Sequence, residues 1–171
     1  RDRMKDVDKA VEILRNKIKE KKRIRIIGDY DIDGVVSTFI LIKGLKRAGA
    51  LADTYIPDRV ADGYGIHEHL IERAVNDGID VIVTCDNGIA AYNEITMAKE
   101  KGMTAIIPDH HEIPYKETED GRELILPPAD AIVNPKQPDC NYPEKRLCGA
   151  VVALKLVTAL YEACLLYTSP S

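Results

Sequence analysis

The sequence has no apolar run of membrane-spanning length, no Cys-x-x-Cys pair and no excess of positive charge. The first absence excludes a transmembrane helix, and the charged residues 1–9 lack the pattern of a signal peptide. The four cysteines have no zinc-site spacing, so reduced thiols in a cytoplasmic protein are expected. A net charge of −4 argues against broad binding of nucleic acid by charge alone.

The composition is that of one folded domain. The chain has 171 residues, of which 45% are hydrophobic and 30% are charged. That length provides a single sizeable core, and that balance is ordinary for a globular protein. We therefore expect a single domain over residues 1–171, without internal repeats.

Hydrophobic spacing alternates along the chain between the strand period and the helix period. Strands are predicted at residues 24–28, 52–56, 80–84, 104–107 and 131–133. Helices are predicted at residues 7–18, 34–48, 66–76, 92–101 and 149–163. This alternation predicts an α/β fold, with a doubly wound, mainly parallel β-sheet flanked by helices. The polar segment 112–128 is predicted to be a loop.

The first predicted strand is followed at once by three carboxylates at alternate positions, Asp29, Asp31 and Asp33. Extended backbone would point all three in the same direction. Clustered carboxylates need compensating positive charge, and oxygen ligands suit Mg²⁺ and Mn²⁺. The segment also matches the first half of an EF-hand loop, with Gly34 at the sixth position. An EF-hand is excluded because the twelfth position, which requires glutamate, is Ile40.

Two further polar motifs follow predicted strands, Asp86-Asn87-Gly88 and Asp109-His110-His111. In doubly wound sheets, ligands bind outside the carboxyl ends of the strands. The three motifs are therefore expected to meet at one edge of the sheet. Carboxylate and imidazole groups gathered there indicate a metal-dependent hydrolase.

In this order, and at these strand ends, the three motifs resemble the DHH phosphoesterase superfamily. Flanking segments resemble its RecJ-type single-stranded-DNA exonucleases, and the resemblance extends over about residues 4–160. The segments that carry this closer resemblance are 4–10, 55–59, 63–65, 133–136 and 148–150.

The resemblance implies a two-metal centre with five ligand residues, Asp29, Asp31, Asp33, Asp86 and His110. Asp86 would bridge the ions, and Asp29 would be a ligand or a supporting acid. Catalysis is assigned to Asp29, Asp86 and His111, with His111 facing the substrate phosphate. Two ions are expected, Mn²⁺ rather than Mg²⁺, because Mn²⁺ accepts nitrogen more readily. Their charge would offset the negative charge of the protein where a phosphate lies.

Substrate contacts are also implied by the resemblance. Arg59 would contact a phosphate, Tyr64 would stack on a base, and Asn87 and His111 would approach the substrate. The implied activity is removal of nucleotides from the 5′ end of single-stranded DNA in repair and recombination. The implied partner is single-stranded nucleic acid.

Other functions stay open at this point. An oligoribonucleotide or cyclic-dinucleotide phosphodiesterase of the same superfamily would use the same metal centre. A non-catalytic scaffold would be expected to have broken motifs, whereas the acids and histidines of these three motifs are all present. A family II pyrophosphatase is disfavoured, because it expects a histidine four residues before Asp31, where this chain has Ile27.

Two further expectations concern residues outside these motifs. The family places another metal-ligating aspartate after the helix that begins near Gly149, and no acid fits it, since Glu162 falls within that helix. This predicts a DHH domain truncated before its last ligand and its second domain. His67 and His69 are expected to be surface residues on different faces of a helix.

Overall fold

The computed structural model describes residues 3–63 and 65–168, with side chains up to residue 165. The strands, in chain order, are β1 (Arg23–Ile27), β2 (Leu51–Tyr55), β3 (Val81–Thr84), β4 (Thr104–Pro108), β5 (Tyr115–Thr118), β6 (Gly121–Leu124) and β7 (Ala131–Val133). The helices are α1 (Val7–Lys19), α2 (Ile32–Arg47), α3 (Glu68–Asn76), α4 (Tyr92–Glu100) and α5 (Gly149–Thr168).

Five parallel strands form the central sheet in the order β2-β1-β3-β4-β7. Strands β3 and β4 are apolar and almost wholly buried, because both faces of the sheet are covered. Helices α1, α2 and α5 pack on one face, and α3 and α4 pack on the other. The predicted doubly wound α/β fold is confirmed.

The strand order reverses between β1 and β3, which is the point where such folds bind ligands. Ile27 at the end of β1 pairs with Thr84 at the end of β3. Pro108 at the end of β4 pairs with Val133 at the end of β7. The register therefore brings the segments that follow these strands to the same edge of the sheet.

The prediction of a loop over residues 112–128 is wrong in part, because β5 and β6 form an antiparallel hairpin there. All residues of both strands are exposed, so the segment has no alternation of apolar and polar residues to mark it. Its cross-strand contacts are a guanidinium–ring contact between Arg122 and Tyr115 and an ion pair between Lys116 and Glu123. Across the described ranges, no helix combines the length and apolar character needed to span a membrane.

Candidate metal centre

The first acidic motif leads into a helix, so that its backbone is extended at Asp31 and helical at Asp33. Strand β1 ends at Ile27, and α2 begins at Ile32, two residues before the predicted start. Asp31 is the N-cap of α2, and its Oδ1 accepts the Gly34 N–H at 2.7 Å. Asp33 lies in the first turn. The expected alternation of three carboxylates on extended backbone is therefore wrong at Asp33, which is helical, and the helix N-terminus favours the negative charge of Asp31 and Asp33.

Asp33 also lies at the N-terminus of α5. Its two carboxylate oxygens accept the Gly149 N–H at 2.7 Å and the Ala150 N–H at 2.9 Å. Burial alone would raise the pKa of Asp33, but these hydrogen bonds lower it below its usual value. Each oxygen keeps a second lone pair with which it can bind a cation.

Gly149 is required by the close approach of α5 to these acids. A Cβ at this position would lie 2.7 Å from Asp86 Oδ1 and 2.9 Å from Asp33 Oδ2. The backbone N–H of residue 149 can reach Asp33 only without that carbon. This contact explains why glycine occupies the start of the last helix.

Asp86 follows β3, is 2% exposed and has a left-handed backbone with φ of 57°. Such a conformation is uncommon for a non-glycine residue and concentrates at functional sites. Gly88 continues the turn with φ of 101°, and a Cβ there would lie 2.5 Å from Thr84 Oγ1. Burial, followed by the charges of Asp33 and Asp31, raises the pKa of Asp86 to about 8.

His110 brings the third motif onto the same acids. Its Nε2 lies 2.6 Å from Asp86 Oδ1 and 3.4 Å from Asp33 Oδ2. Both Nε2 and Asp86 Oδ1 are buried without a properly aligned hydrogen bond in the described structure. Burial, followed by the charge of His111, lowers the pKa of His110, which keeps the imidazole neutral. A neutral imidazole facing carboxylate oxygens is a suitable donor set for a divalent cation.

Asp109 holds the neighbouring histidine, a role that the sequence analysis missed. Asp109 is fully buried and accepts the N–H groups of Ile89, His110 and His111. Its Oδ1 also lies 2.6 Å from His111 Nδ1. Ligand atoms of Asp86, Asp109, His110 and His111 all lie within 4.8 Å of one another. Two of these four, Asp109 and His111, already pair with each other.

The hydrogen bond that His111 donates to Asp109 raises the pKa of His111 to about 9, against the opposing effect of burial. Burial alone would raise the pKa of Asp109, but the pairing with His111 lowers it. At neutral pH the pair is therefore a carboxylate and an imidazolium. An imidazolium cannot ligate a metal, but it can donate to a phosphate oxygen. The two adjacent histidines thus have different protonation states.

A cavity of about 470 Å³ opens beside these residues. Asp29, which is 4% exposed, lines it, and its Oδ1 accepts the Tyr30 N–H at 2.8 Å. Burial, followed by the charge of Asp31, raises the pKa of Asp29 despite that hydrogen bond. Asn87 lines the cavity too, and its Nδ2 donates to the Gly28 carbonyl at 3.2 Å. Its Oδ1 is buried without a hydrogen-bond partner in the parts of the chain described.

Of the predicted substrate contacts, Asn87 and His111 line this cavity, whereas Arg59 does not. The Arg59 guanidinium lies 5.8 Å from the ring centroid of Tyr30, so the cation is close to the first motif. Tyr64 falls outside the described residues. The expectation for His67 and His69 is wrong in its geometry, because His67 precedes α3 and its ring stacks on His69 at 5.8 Å.

Two residues in the C-terminal part of the chain, Asn134 and Glu162, differ in their relation to the site. Asn134 is fully buried, and its Nδ2 donates to the His111 carbonyl at 3.0 Å, which anchors the loop that carries both histidines. The position of this polar residue directly after β7 is the feature of the sequence that could have predicted its role. Glu162 pairs with Arg3, about 20 Å along α5 from Gly149 at 1.5 Å per residue. Glu162 is therefore no part of the cluster.

Known proteins are similar to this chain in sequence and in fold. The N-terminal domain of the DHH family matches residues 23–168. The single-stranded-DNA-specific exonuclease RecJ of Bacillus subtilis is 44% identical over 157 residues, covering 92% of this chain and 19% of that protein. RecJ of Escherichia coli is 39% identical over 155 residues, covering 90% of this chain and 25% of that protein. The chain thus spans about a fifth to a quarter of these relatives.

Solved structures agree with the sequence comparison. The crystal structure of exonuclease RecJ bound to manganese is 34% identical, with a TM-score of 0.82, and covers 94% of this chain and 38% of that one. RecJ of Thermus thermophilus with Mn²⁺ is 31% identical, with a TM-score of 0.73, and the match covers 94% of this chain and 21% of that one. The structure of the same protein with Mg²⁺ is 26% identical to this chain, with a TM-score of 0.56, and the match covers 94% of this chain and 17% of that one. Proteins similar to this chain therefore bind Mn²⁺ or Mg²⁺.

Proposed function

This chain belongs to the DHH family, and we propose that it forms the metal-binding core of a 5′-to-3′ single-stranded-DNA-specific exonuclease of DNA repair and recombination. The observation that carries the proposal is the convergence of His110 Nε2 on Asp86 and Asp33, with no aligned hydrogen bond between the closest pair of atoms. The names of the similar RecJ proteins support the substrate class.

We assign two Mn²⁺ or Mg²⁺ ions to ligands from the three motifs, Asp29, Asp31, Asp33, Asp86 and His110. When bound, such a pair supplies a hydroxide nucleophile and stabilises charge on the phosphoryl oxygens. The donor set fits the ions because burial, followed by the charges of Asp33 and Asp31, raises the pKa of Asp86, and a cation would relieve both effects. The neutral imidazole of His110 favours Mn²⁺.

His111 is assigned to the phosphodiester. Asp109 orients its ring and keeps it charged, so that the imidazolium can donate to a non-bridging phosphate oxygen. Arg59, held over Tyr30, supplies a second cation for the strand. Asn87 lines the cavity, and its Oδ1, which has no hydrogen-bond partner among the described residues, is assigned to accept a hydrogen bond from the substrate.

The test compares four substrates with excess Mn²⁺: a single strand labelled at its 5′ end, the same strand in a duplex, a linear diribonucleotide and a cyclic dinucleotide. We expect release of 5′-labelled mononucleotide from the single strand only. The matched control carries Asp31→Asn and Asp86→Asn, which remove two ligand charges with little change of shape. Equal release by the control would overturn the proposal, and cleavage of a dinucleotide alone would assign the chain to the other phosphodiesterase class.

A further inference from the structure

His67 has a buried ring nitrogen without a partner at the edge of the cavity beside the metal centre. Its Nε2 is shielded from solvent and makes no hydrogen bond within the described residues. The side chain lines the cavity that Asp29 and His111 also line. A buried donor or acceptor left unpaired costs about 1–3 kcal/mol, so such a group indicates a ligand that completes it.

Helix capping does not account for this histidine. His67 occupies the N-cap position of α3, with extended backbone (φ −115°, ψ 154°), but its side chain makes no capping hydrogen bond. Short polar residues such as serine and asparagine stabilise that position, typically by about 1 kcal/mol. His67 Nε2 therefore makes no hydrogen bond to the helix or to another described residue.

The neighbours of His67 hold the ring in place. It stacks on the ring of His69, with centroids 5.8 Å apart and planes 8° apart. His69 Nε2 lies 2.7 Å from Asp62 Oδ1, and Asp62 Oδ2 accepts the Asp58 N–H at 2.8 Å. The same loop carries Arg59. One face of the His67 ring is thus supported before any ligand arrives, which lowers the entropic cost of binding.

Charge within the cavity defines the ligand that His67 can serve. Five acids line the cavity: Asp29, Asp86, Glu94, Asp109 and Glu112. Among the described lining side chains, only His67 and His111 can present a cation or a ring N–H to an anion. His111 uses its Nδ1 on Asp109. A phosphate that enters so acidic a cavity needs every available donor.

We propose that His67 is a substrate-binding residue whose Nε2–H donates to a phosphate oxygen of the nucleotide in this cavity. The inference rests on the proposed function, because it requires a nucleotide beside the metal centre. His67 would then act with His111, so that two imidazoles from separate connections of the sheet hold one phosphate. The ring is placed to select 5′-phosphorylated nucleotides over nucleosides, which lack the acceptor.

The test uses the complete chain with thymidine 5′-monophosphate and diamagnetic Mg²⁺, followed by NMR of ¹⁵N-labelled imidazoles. The chain has four histidines, so each resonance is assignable by single substitution. We expect the His67 Nε2 resonance to move saturably with nucleotide, together with His111, whereas His69 moves little. Thymidine should leave His67 unchanged.

Substitutions provide a second readout. His67→Phe keeps the stacked ring without a donor and should weaken nucleotide binding about five- to tenfold, whereas His67→Gln keeps an N–H and should restore most of it. His69→Phe is the matched control and should change affinity less than about twofold. If His111 responds to the nucleotide and His67 does not, this inference is wrong and the proposed function stands. If neither responds at saturating nucleotide, both are wrong.

Discussion

Replacing Asp86 by asparagine should stabilise the metal-free protein at high pH. Asp86 is buried, and its pKa rises from 3.8 to about 8 because of burial and the charges of Asp33 and Asp31. The native state therefore holds a proton that the unfolded state has released, and the free energy of unfolding falls as pH rises from about 4 to about 8. Above that range the ionised carboxyl imposes its full penalty, which Asp86→Asn removes.

The size of the effect follows from the two pKa values. A difference of about four pH units corresponds to about 6 kcal/mol, which is an upper limit because the site can relax and admit water. We expect Asp86→Asn to raise the free energy of unfolding by about 2–4 kcal/mol at about pH 9. At about pH 5 the native carboxyl is protonated, so the two proteins should be nearly equally stable.

The assay is urea unfolding in EDTA at both pH values. His111, whose pKa is raised to about 9, also stabilises the fold below its unfolded pKa and loses that contribution as pH rises through 9. The pair of His111 and Asp109 is present in both proteins, so most of its contribution cancels in the difference between them. Equal stability of the two proteins at high pH would refute the electrostatic account of the site.

Adding Mn²⁺ should reduce the stability advantage of Asp86→Asn. A ligand that binds only the native state adds about 2.7 kcal/mol at about 100 times its Kd. The wild type should gain that amount, and Asp86→Asn should gain much less because it lacks a ligand charge. The same Mn²⁺ gain in both proteins would mean that Asp86 does not bind the ion.

Three further outcomes are expected from the contacts of single residues. Asp109→Asn should lower the pKa of His111 from about 9 toward 6.5, as followed by NMR titration, because the charged acceptor is lost. Gly149→Ala should weaken Mn²⁺ binding at least about tenfold by calorimetry, since its Cβ would lie 2.7 Å from Asp86 Oδ1. Arg25→Met should cost about 2–4 kcal/mol in urea unfolding, because the buried guanidinium pairs with two carboxylates.

The fold was predictable because its strands carry the signal of a covered parallel sheet. Strands β3 and β4 are buried on both faces and are therefore continuous apolar runs, and the helices between them have their own period. The β5–β6 hairpin was missed for the opposite reason. Its residues are all exposed, so neither face selects for apolar side chains.

The site was predictable as a set of residues more than as a geometry. Strand ends identified where Asp29, Asp86 and His110 lie, because topology alone brings those ends to one edge. The alternate spacing of the first motif suggested extended backbone, whereas Asp31 is a helix N-cap, a position that aspartate favours. Hydrogen bonds between distant segments, such as Asp33 with the start of α5, leave no trace in local spacing.

The fold stabilises four of its five clustered acids with backbone N–H groups, and Asp86 is the exception. Four site carboxylates accept at least one backbone N–H each: Asp29, Asp31, Asp33 and Asp109. Asp86 accepts none from the described backbone, and its pKa is raised to about 8. Its charge therefore lacks the compensation that the other four receive from the backbone, and the charge of His111 offsets it only in part. We propose a bound cation as its main counter-charge. Asp86→Asn should therefore raise the stability of the metal-free protein and lower the affinity of the protein for metal.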